Sequence, residues 1–228
     1  MNTKTSEAIL INRINYSESD RILNLITPEF GKIAVIAKGS RKIKSKLAGS
    51  IELFTLIKIT YIDGRNDIGT LISSRILENY EEISKDLDKS QLGFHVLKLT
   101  NLNTHDNSDQ IYFDLLLKFL KLLNSLNIDL MTLKNWYYAQ FLLINGNVPN
   151  LNTAEDGTKL DEFKKYDFDF LKMGFVGGGR YTKDHIKYLR LLFNVSSSIK
   201  VFKIKIDQRL NKDVLDILET MFKSHLSL

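Results

Sequence analysis

The sequence predicts an α+β chain, β then α: an N-terminal five-stranded barrel of the OB type followed by a mostly α-helical domain. Three observations predict it. Residues 7–78 break into five short runs rich in Ile, Leu and Val, with polar or Gly/Pro punctuation between them. No stretch of helical spacing interrupts those runs. Beyond about residue 84 the apolar residues recur at three- and four-residue intervals, the period of a helix packed along one side. The change near residue 80 is the boundary candidate, giving an N-terminal domain over 1–80 and a helical domain over 81–228.

Strands are predicted over residues 7–14, 20–27 and 31–37. The connections between them, Asn15 to Ser19 and Pro28 to Gly31, are short enough for antiparallel neighbours. After a basic loop, residues 51–62 and 70–77 add two strands around the turn Asp63-Gly64-Arg65-Asn66. Five strands without an intervening helix favour a closed barrel, because closure removes exposed sheet edges. An open sheet packed on the helical half is the competing arrangement.

The first helix is predicted to start at Ser84 as cap and to run to Leu102, with Leu87, Leu92, Val96 and Leu99 near one face. Residues 109–126 carry a broad apolar stripe that includes Leu115, Leu116, Phe119 and Leu123. A third helix runs from Ile128 through Trp136 to Ile144 and stops at Asn145-Gly146, with Pro149 just beyond. These three helices are expected to form a bundle. Residues 147–181 read as an irregular polar insert ending in Gly177-Gly178-Gly179. Thr182 caps another helix, residues 199–206 alternate as an extended segment, and residues 211–225 form a last amphipathic helix.

The 228 residues are 43% hydrophobic, enough to build a core without a staple. There is no cysteine, so the chain has no disulfide, no thiolate ligand and no thiol nucleophile, which fits a reducing compartment. No secretory signal and no run of eighteen uncharged apolar residues is present, so a cytoplasmic location is expected.

Net charge is +5, and it is unevenly spread. Residues 1–80 hold 12 Lys and Arg against 8 Asp and Glu, while the remainder holds 20 against 19. Such a local excess points to an anionic partner on the N-terminal domain. Its centre is Lys38-Gly39-Ser40-Arg41-Lys42-Ile43-Lys44-Ser45-Lys46, where five of nine residues are cationic and none is acidic. A lone cationic run is usually a solvated loop. Placed on a small barrel, and read as an exposed, mobile loop, it is expected to meet phosphates, with Ser40 and Ser45 adding hydrogen bonds. Arg13, Arg21, Lys32, Arg65 and Arg75 are candidates to extend the patch, although Arg21 beside Asp20 equally suggests a local ion pair. Tyr16, Phe30, Phe54 and Tyr61 are candidates to stack on bases, although aromatics of small barrels are more often core.

No catalytic constellation nominates itself. The chain has no G-x-x-x-x-G-K-[ST] loop, no G-x-G-x-x-G turn and no H-E-x-x-H pair. His95, His105, His185 and His225 are scattered, and Asp167 and Asp169 flank Phe168 in a polar stretch without an evident acid/base role. No enzyme activity, cofactor or metal is predicted.

The N-terminal eighty residues resemble the bacterial RecO family of recombination mediators. The likeness runs through Tyr16-Ser17-Glu18-Ser19-Asp20-Arg21-Ile22-Leu23, Thr27-Pro28-Glu29-Phe30-Gly31-Lys32, Ala37-Lys38-Gly39-Ser40-Arg41-Lys42 and Lys44-Ser45-Lys46-Leu47-Ala48-Gly49. It thins afterwards but continues in Gly146-Asn147-Val148-Pro149-Asn150-Leu151 and in a C-terminal helix ending Ser224-His225-Leu226. The resemblance implies an N-terminal OB-fold, binding of single- and double-stranded DNA, and annealing of complementary strands. It also implies assistance in loading recombinase onto strands coated by single-stranded-DNA-binding protein. Implied partners are RecR and the acidic C-terminal tail of the coating protein, the latter recognised by the helical domain. Carried onto matching positions, Lys38, Arg41, Lys42, Lys44 and Lys46 are the DNA contacts, with Arg21, Lys32 and Arg65 as extensions.

One departure is plain. Members of that family often carry two C-x-x-C pairs that bind zinc, and here the corresponding places read Thr153-Ala154-Glu155-Asp156-Gly157 and Phe175-Val176-Gly177-Gly178-Gly179-Arg180. Zinc is therefore expected to be absent, with the insert held by apolar contacts among Phe168, Phe170 and Phe175 or left mobile. Two further readings stay open on the residues alone: an RNA-binding OB protein of the translation machinery, and a protein-docking adaptor whose basic loop is incidental.

Overall fold

In the computed structural model, residues 3–64, 67–105, 110–160, 165–194 and 201–226 are described. Five strands, β1 (Thr3–Tyr16), β2 (Asp20–Thr27), β3 (Gly31–Ala37), β4 (Thr55–Ile62) and β5 (Ile68–Asn79), close into a barrel in the order β1-β2-β3-β5-β4. β1 pairs antiparallel with both β2 and β4, and β3 meets β5 in parallel. Closure settles the choice between barrel and open sheet. Two-residue alternation turns Leu23 and Leu25, Val35 and Ala37, and Ile57, Ile59 and Tyr61 into one buried interior. Register shifts in β1 between Leu10 and Asn12, and along β4 at Leu56/Ile57 and Thr60/Tyr61, bend the long strands enough to close.

Residues 51–54 precede β4 instead of extending it: a 3-10 turn at Ala48–Ser50 leads through buried Ile51 to Phe54, whose φ of 60° re-aims the chain into the strand. β5 gives way directly to α1 (Glu81–Lys85) and α2 (Leu87–Asn103), and α3 (Gln110–Leu123) follows. Ser84 lies inside α1, and the cap of the long helix is Asp86, whose carboxylate accepts from the Lys89 N–H at 3.0 Å.

The chain divides into two compact units, residues 1–126 and 127–228. The expected three-helix bundle does not form. α2 and α3 pack on β1, β2 and β3, covering apolar positions that the barrel interior does not use. α2 reaches the barrel at Gly93, where an added Cβ would lie 2.6 Å from Phe54 Cε1 and 3.0 Å from Cζ. Gly93→Ala is expected to lower stability by about 1–2 kcal/mol: overpacking of about 1–3 kcal/mol outweighs the propensity gained. A urea midpoint at or above that of the parent chain would refute the close approach.

Tyr80 is buried where the barrel meets α1, and its hydroxyl donates to Glu78 Oε2 at 2.6 Å. Burial first, and that bond to a carboxylate second, push its phenol well above the ordinary tyrosine range. The folded state then holds a proton that the unfolded chain releases near pH 10, so stability falls as pH rises above about 10. Tyr80→Phe should make that alkaline slope shallower in denaturant titrations. Superimposable slopes would show that the phenol is not protected.

The second unit contains α4 (Leu130–Ile144), β6 (Asn150–Ala154), β7 (Tyr166–Asp169), β8 (Gly174–Gly177), α5 (Lys183–Leu192) and α6 (Gln208–His225). Asp129 caps α4 by accepting from the Thr132 N–H at 2.6 Å, and Gly146 beyond its end has φ +75°. Tyr138 and Phe141 of α4 pack against Phe222 of α6 at ring distances of 4.9 and 5.7 Å. Buried Asn211 ties three helices together. It accepts from Asn135 Nδ2 at 2.6 Å and the Tyr188 hydroxyl at 2.9 Å, and donates to Thr132 Oγ1 at 3.0 Å.

Two expectations fail here. Among the described residues of the stretch 147–181, β6, β8 and β7 form a three-stranded sheet where an irregular insert was expected. Its strands have only four or five residues, too few to show alternation. In the predicted extended segment 199–206, residues 201–204 form the end of a helix and a turn, and residues 199 and 200 lie outside the described residues. Alternation of apolar and Lys residues over so few positions does not separate strand from turn.

Candidate nucleic-acid interface

The basic stretch leaves β3 and is a succession of turns pinned at its base to the β1–β2 turn. The Gly39 N–H donates to Asp20 Oδ1 at 2.7 Å, and the Arg41 N–H donates to the Ser19 carbonyl at 2.9 Å. Gly39 takes φ +64°, a backbone that glycine adopts without penalty. Internal bonds from Lys42 N–H to Gly39 O and from Ser45 N–H to Lys42 O continue the turns. The base of the loop is thus built into the barrel, while its cationic side chains are presented outward.

Lys38, Arg41, Lys42, Lys44 and Lys46 are all exposed. Among the described residues none of the five is ion-paired to a carboxylate. Arg41 alone has a polar partner, the Ser17 carbonyl at 3.3 Å. Asp20, on the turn to which the loop is tied, accepts from the Gly39 N–H and the Ser19 hydroxyl, and Glu52, the nearest acid in the sequence, is paired with Arg13. The ion pair between Asp20 and Arg21, which the sequence offered equally with a phosphate contact, is not among the pairs of the described residues. Arg21 is half-buried on β2, paired in register with Ala37 next to the loop.

The other predicted residues divide. Lys32 serves the fold: its Nζ donates to the carbonyls of Asn101 at 2.6 Å and Thr104 at 3.1 Å, at the C-terminal end of α2 where a cation meets the negative end of the helix. Arg13 is paired with Glu52 at 2.8 Å. Arg65 lies outside the described residues. Arg75 is exposed and stands opposite Lys58 in the β4–β5 register, in a groove lined also by Thr60, Ser73 and Ser74. Two like charges facing across strands oppose folding locally and favour an anion between them. Lys58 escaped the sequence reading. Its signal was a single exposed cation inside the apolar run Leu56-Ile57-Lys58-Ile59.

Ser40 also corrects an expectation. Its side chain is only 1% exposed and its Oγ has no hydrogen-bond partner among the described residues, so it is not presented to a phosphate. Ser45 Oγ accepts from the Leu47 N–H at 3.3 Å. Of the four candidate aromatics, Phe54 and Tyr61 are buried and Phe30 packs on Tyr61. Tyr16 is 50% exposed.

The two stretches where a zinc module would supply cysteines do meet in space, since β6 and β8 pair through Ala154 and Phe175. The donor chemistry does not fit zinc. Of the two acidic side chains at the end of β6, Glu155 is engaged by Lys172 and Asp156 accepts from the Thr158 N–H at 2.9 Å and its hydroxyl at 2.6 Å, and the interior is filled by rings. Phe168 lies 5.2 Å from Phe175 and 5.0 Å from Phe170, and Phe175 also meets Tyr166 and Tyr181 edge-on at 6.2 Å. Among the described residues no group of three or more His, Asp or Glu side chains is placed to hold a metal, and no helix is long and apolar enough to cross a membrane.

A family profile described as "Recombination protein O N terminal" matches residues 1–80, the barrel with its basic loop. Over 211 residues the chain is 30% identical to the DNA repair protein RecO of Listeria monocytogenes serotype 4b, covering 91% of this chain and 80% of that one. Its counterpart in Halalkalibacterium halodurans is 30% identical over 198 residues, covering 86% of this chain and 76% of that one. That of Dehalococcoides mccartyi is 32% identical over 148 residues, or 64% and 57%. Likeness of this extent spans the barrel and most of the second unit alike, and the chain belongs to the RecO family.

Proposed function

We propose that the chain acts in DNA repair as a non-catalytic DNA-binding mediator. It anneals complementary strands and assists recombinase loading, with RecR and the tail of the single-stranded-DNA-binding protein as partners. One observation carries the DNA contact: five exposed cations on a barrel-anchored loop, none of them neutralised by a carboxylate among the described residues. Phosphate backbones supply the missing counter-charge. Lys38, Arg41, Lys42, Lys44 and Lys46 make the primary contacts, and Arg21 lies beside them. Relatives that bear the name DNA repair protein support the setting.

The tail of the coating protein finds matching chemistry in the second unit. A groove there has Tyr188, Leu191 and Leu210 on its walls and Lys187 and Lys205 as cations, with Asp184 and Asp207 also lining it. Lys187 is paired with Asp184 at 3.7 Å, so Lys205 and the apolar walls are what an acidic segment would meet there.

A salt titration of single-stranded DNA binding, coupled to an annealing assay with and without the coating protein, tests the reading. Engagement of four to six phosphates gives a slope of log K against log salt of roughly −3 to −5, and annealing faster than that of free strands. A flat salt dependence, or tighter binding to RNA than to DNA, would remove it.

A further inference from the structure

We infer that Tyr16 is a stacking platform for an unpaired base, so that the barrel reads single-stranded DNA through base faces as well as phosphates. The inference rests on the proposed DNA-binding loop and adds a second kind of contact to it.

Tyr16 ends β1, opposite Asp20 in the β1–β2 register. Asp20 holds the Gly39 N–H, and Arg41 donates to both Ser17 O and Ser19 O. The ring therefore sits on the turn to which the cationic loop is tied. It is half exposed, unlike Phe54 and Tyr61, which are only 4% and 3% exposed. The surface beside it is apolar. Ile14 pairs with Ile22, and Ile22 with Ile36, so these side chains form one row across the outer face of β1, β2 and β3. Ile14 is 51% exposed, and Ile43 stands fully exposed between Lys42 and Lys44.

Single exposed apolar residues are ordinary, but a ring and isoleucines gathered beside unneutralised cations are not. A duplex presents phosphates and keeps its base faces stacked. A single strand presents both, and every base has a face that an aromatic ring can cover. Of ligands that carry regular negative charge, single-stranded DNA uses this combination fully.

The test compares Tyr16→Leu, Tyr16→Phe and the loop variant with all five cations changed to alanine. Each is titrated with oligodeoxythymidylate, a strand of equal length bearing abasic sites, and a duplex. Tyr16→Leu should weaken binding to oligodeoxythymidylate by about 5- to 100-fold. Binding to the abasic strand and to duplex should stay within about twofold, the salt slope should not change, and Tyr16→Phe should restore affinity. If Tyr16→Leu binds all three ligands like the parent while the loop variant does not, the stacking role is wrong and the electrostatic reading stands. Equal losses on all three ligands would mean that Tyr16 shapes the loop and stacks on nothing. If neither variant loses affinity, the DNA-binding reading itself fails.

Discussion

Replacing Phe175 by alanine is expected to destabilise the second unit by about 3–5 kcal/mol, the range for emptying a fully buried aromatic site. The size follows from its place. Phe175 lies in β8, the central strand of the small sheet, and has no exposed surface. Its ring is the common neighbour of Tyr166, Phe168 and Tyr181, so truncation removes three edge-to-face contacts as well as the buried area. β7 pairs with β8 through Phe168 opposite Phe175, and β6 pairs with it through Ala154. Thermal or urea unfolding followed by tryptophan emission from Trp136 measures the loss. A cost below about 1 kcal/mol would mean that the aromatic cluster does not hold the insert. Adding zinc to the parent chain should leave its unfolding midpoint unchanged, since metal bound only by the folded state would raise it.

Changing Lys38, Arg41, Lys42, Lys44 and Lys46 together to alanine is expected to weaken single-stranded DNA binding by about 10²–10³-fold near 0.1 M salt. It should also make the salt slope shallower by roughly 3 to 4. The two numbers have one origin. Each phosphate neutralised releases condensed counterions, worth about 0.7 of a unit of slope on a single strand. Stability should change little. The five side chains are exposed, and the bonds that hold the loop are made by backbone groups of Gly39, Arg41, Lys42 and Ser45. Arg41 contributes only one guanidinium bond, to the Ser17 carbonyl at 3.3 Å. A loss of affinity with an unchanged salt slope would point to a misfolded loop and away from lost phosphate contacts. Parent-like affinity at low salt would favour the adaptor reading.

The barrel was legible because its signal is local. Runs such as Asp20–Thr27 and Gly31–Ala37 alternate, stop at turn residues and need no partner to be recognised. α4 was legible for the same reason, from its apolar run through Trp136 to the Asn145-Gly146 stop. The cationic loop was legible as composition, five charges without an acid among them. What escaped depended on distant residues. Nothing near Lys32 in sequence announces that its ammonium caps α2 through Asn101 and Thr104, about seventy positions away. Ser40 looks like a phosphate donor until the barrel buries it. The small sheet was missed because four-residue strands carry too few positions for a period to show.

By itself, the sequence determined the order of the barrel strands and of the long helices, the absence of thiol chemistry and the place where positive charge accumulates. Periodicity, turn residues and formal charge are properties of neighbouring residues, and they survive without a fold. Only the tertiary structure decided which cations stay free, which aromatic faces solvent, which helices lie on the barrel, and that rings occupy the place of a metal. Those outcomes depend on burial and on hydrogen-bond partners brought from far along the chain, and a linear pattern does not contain them.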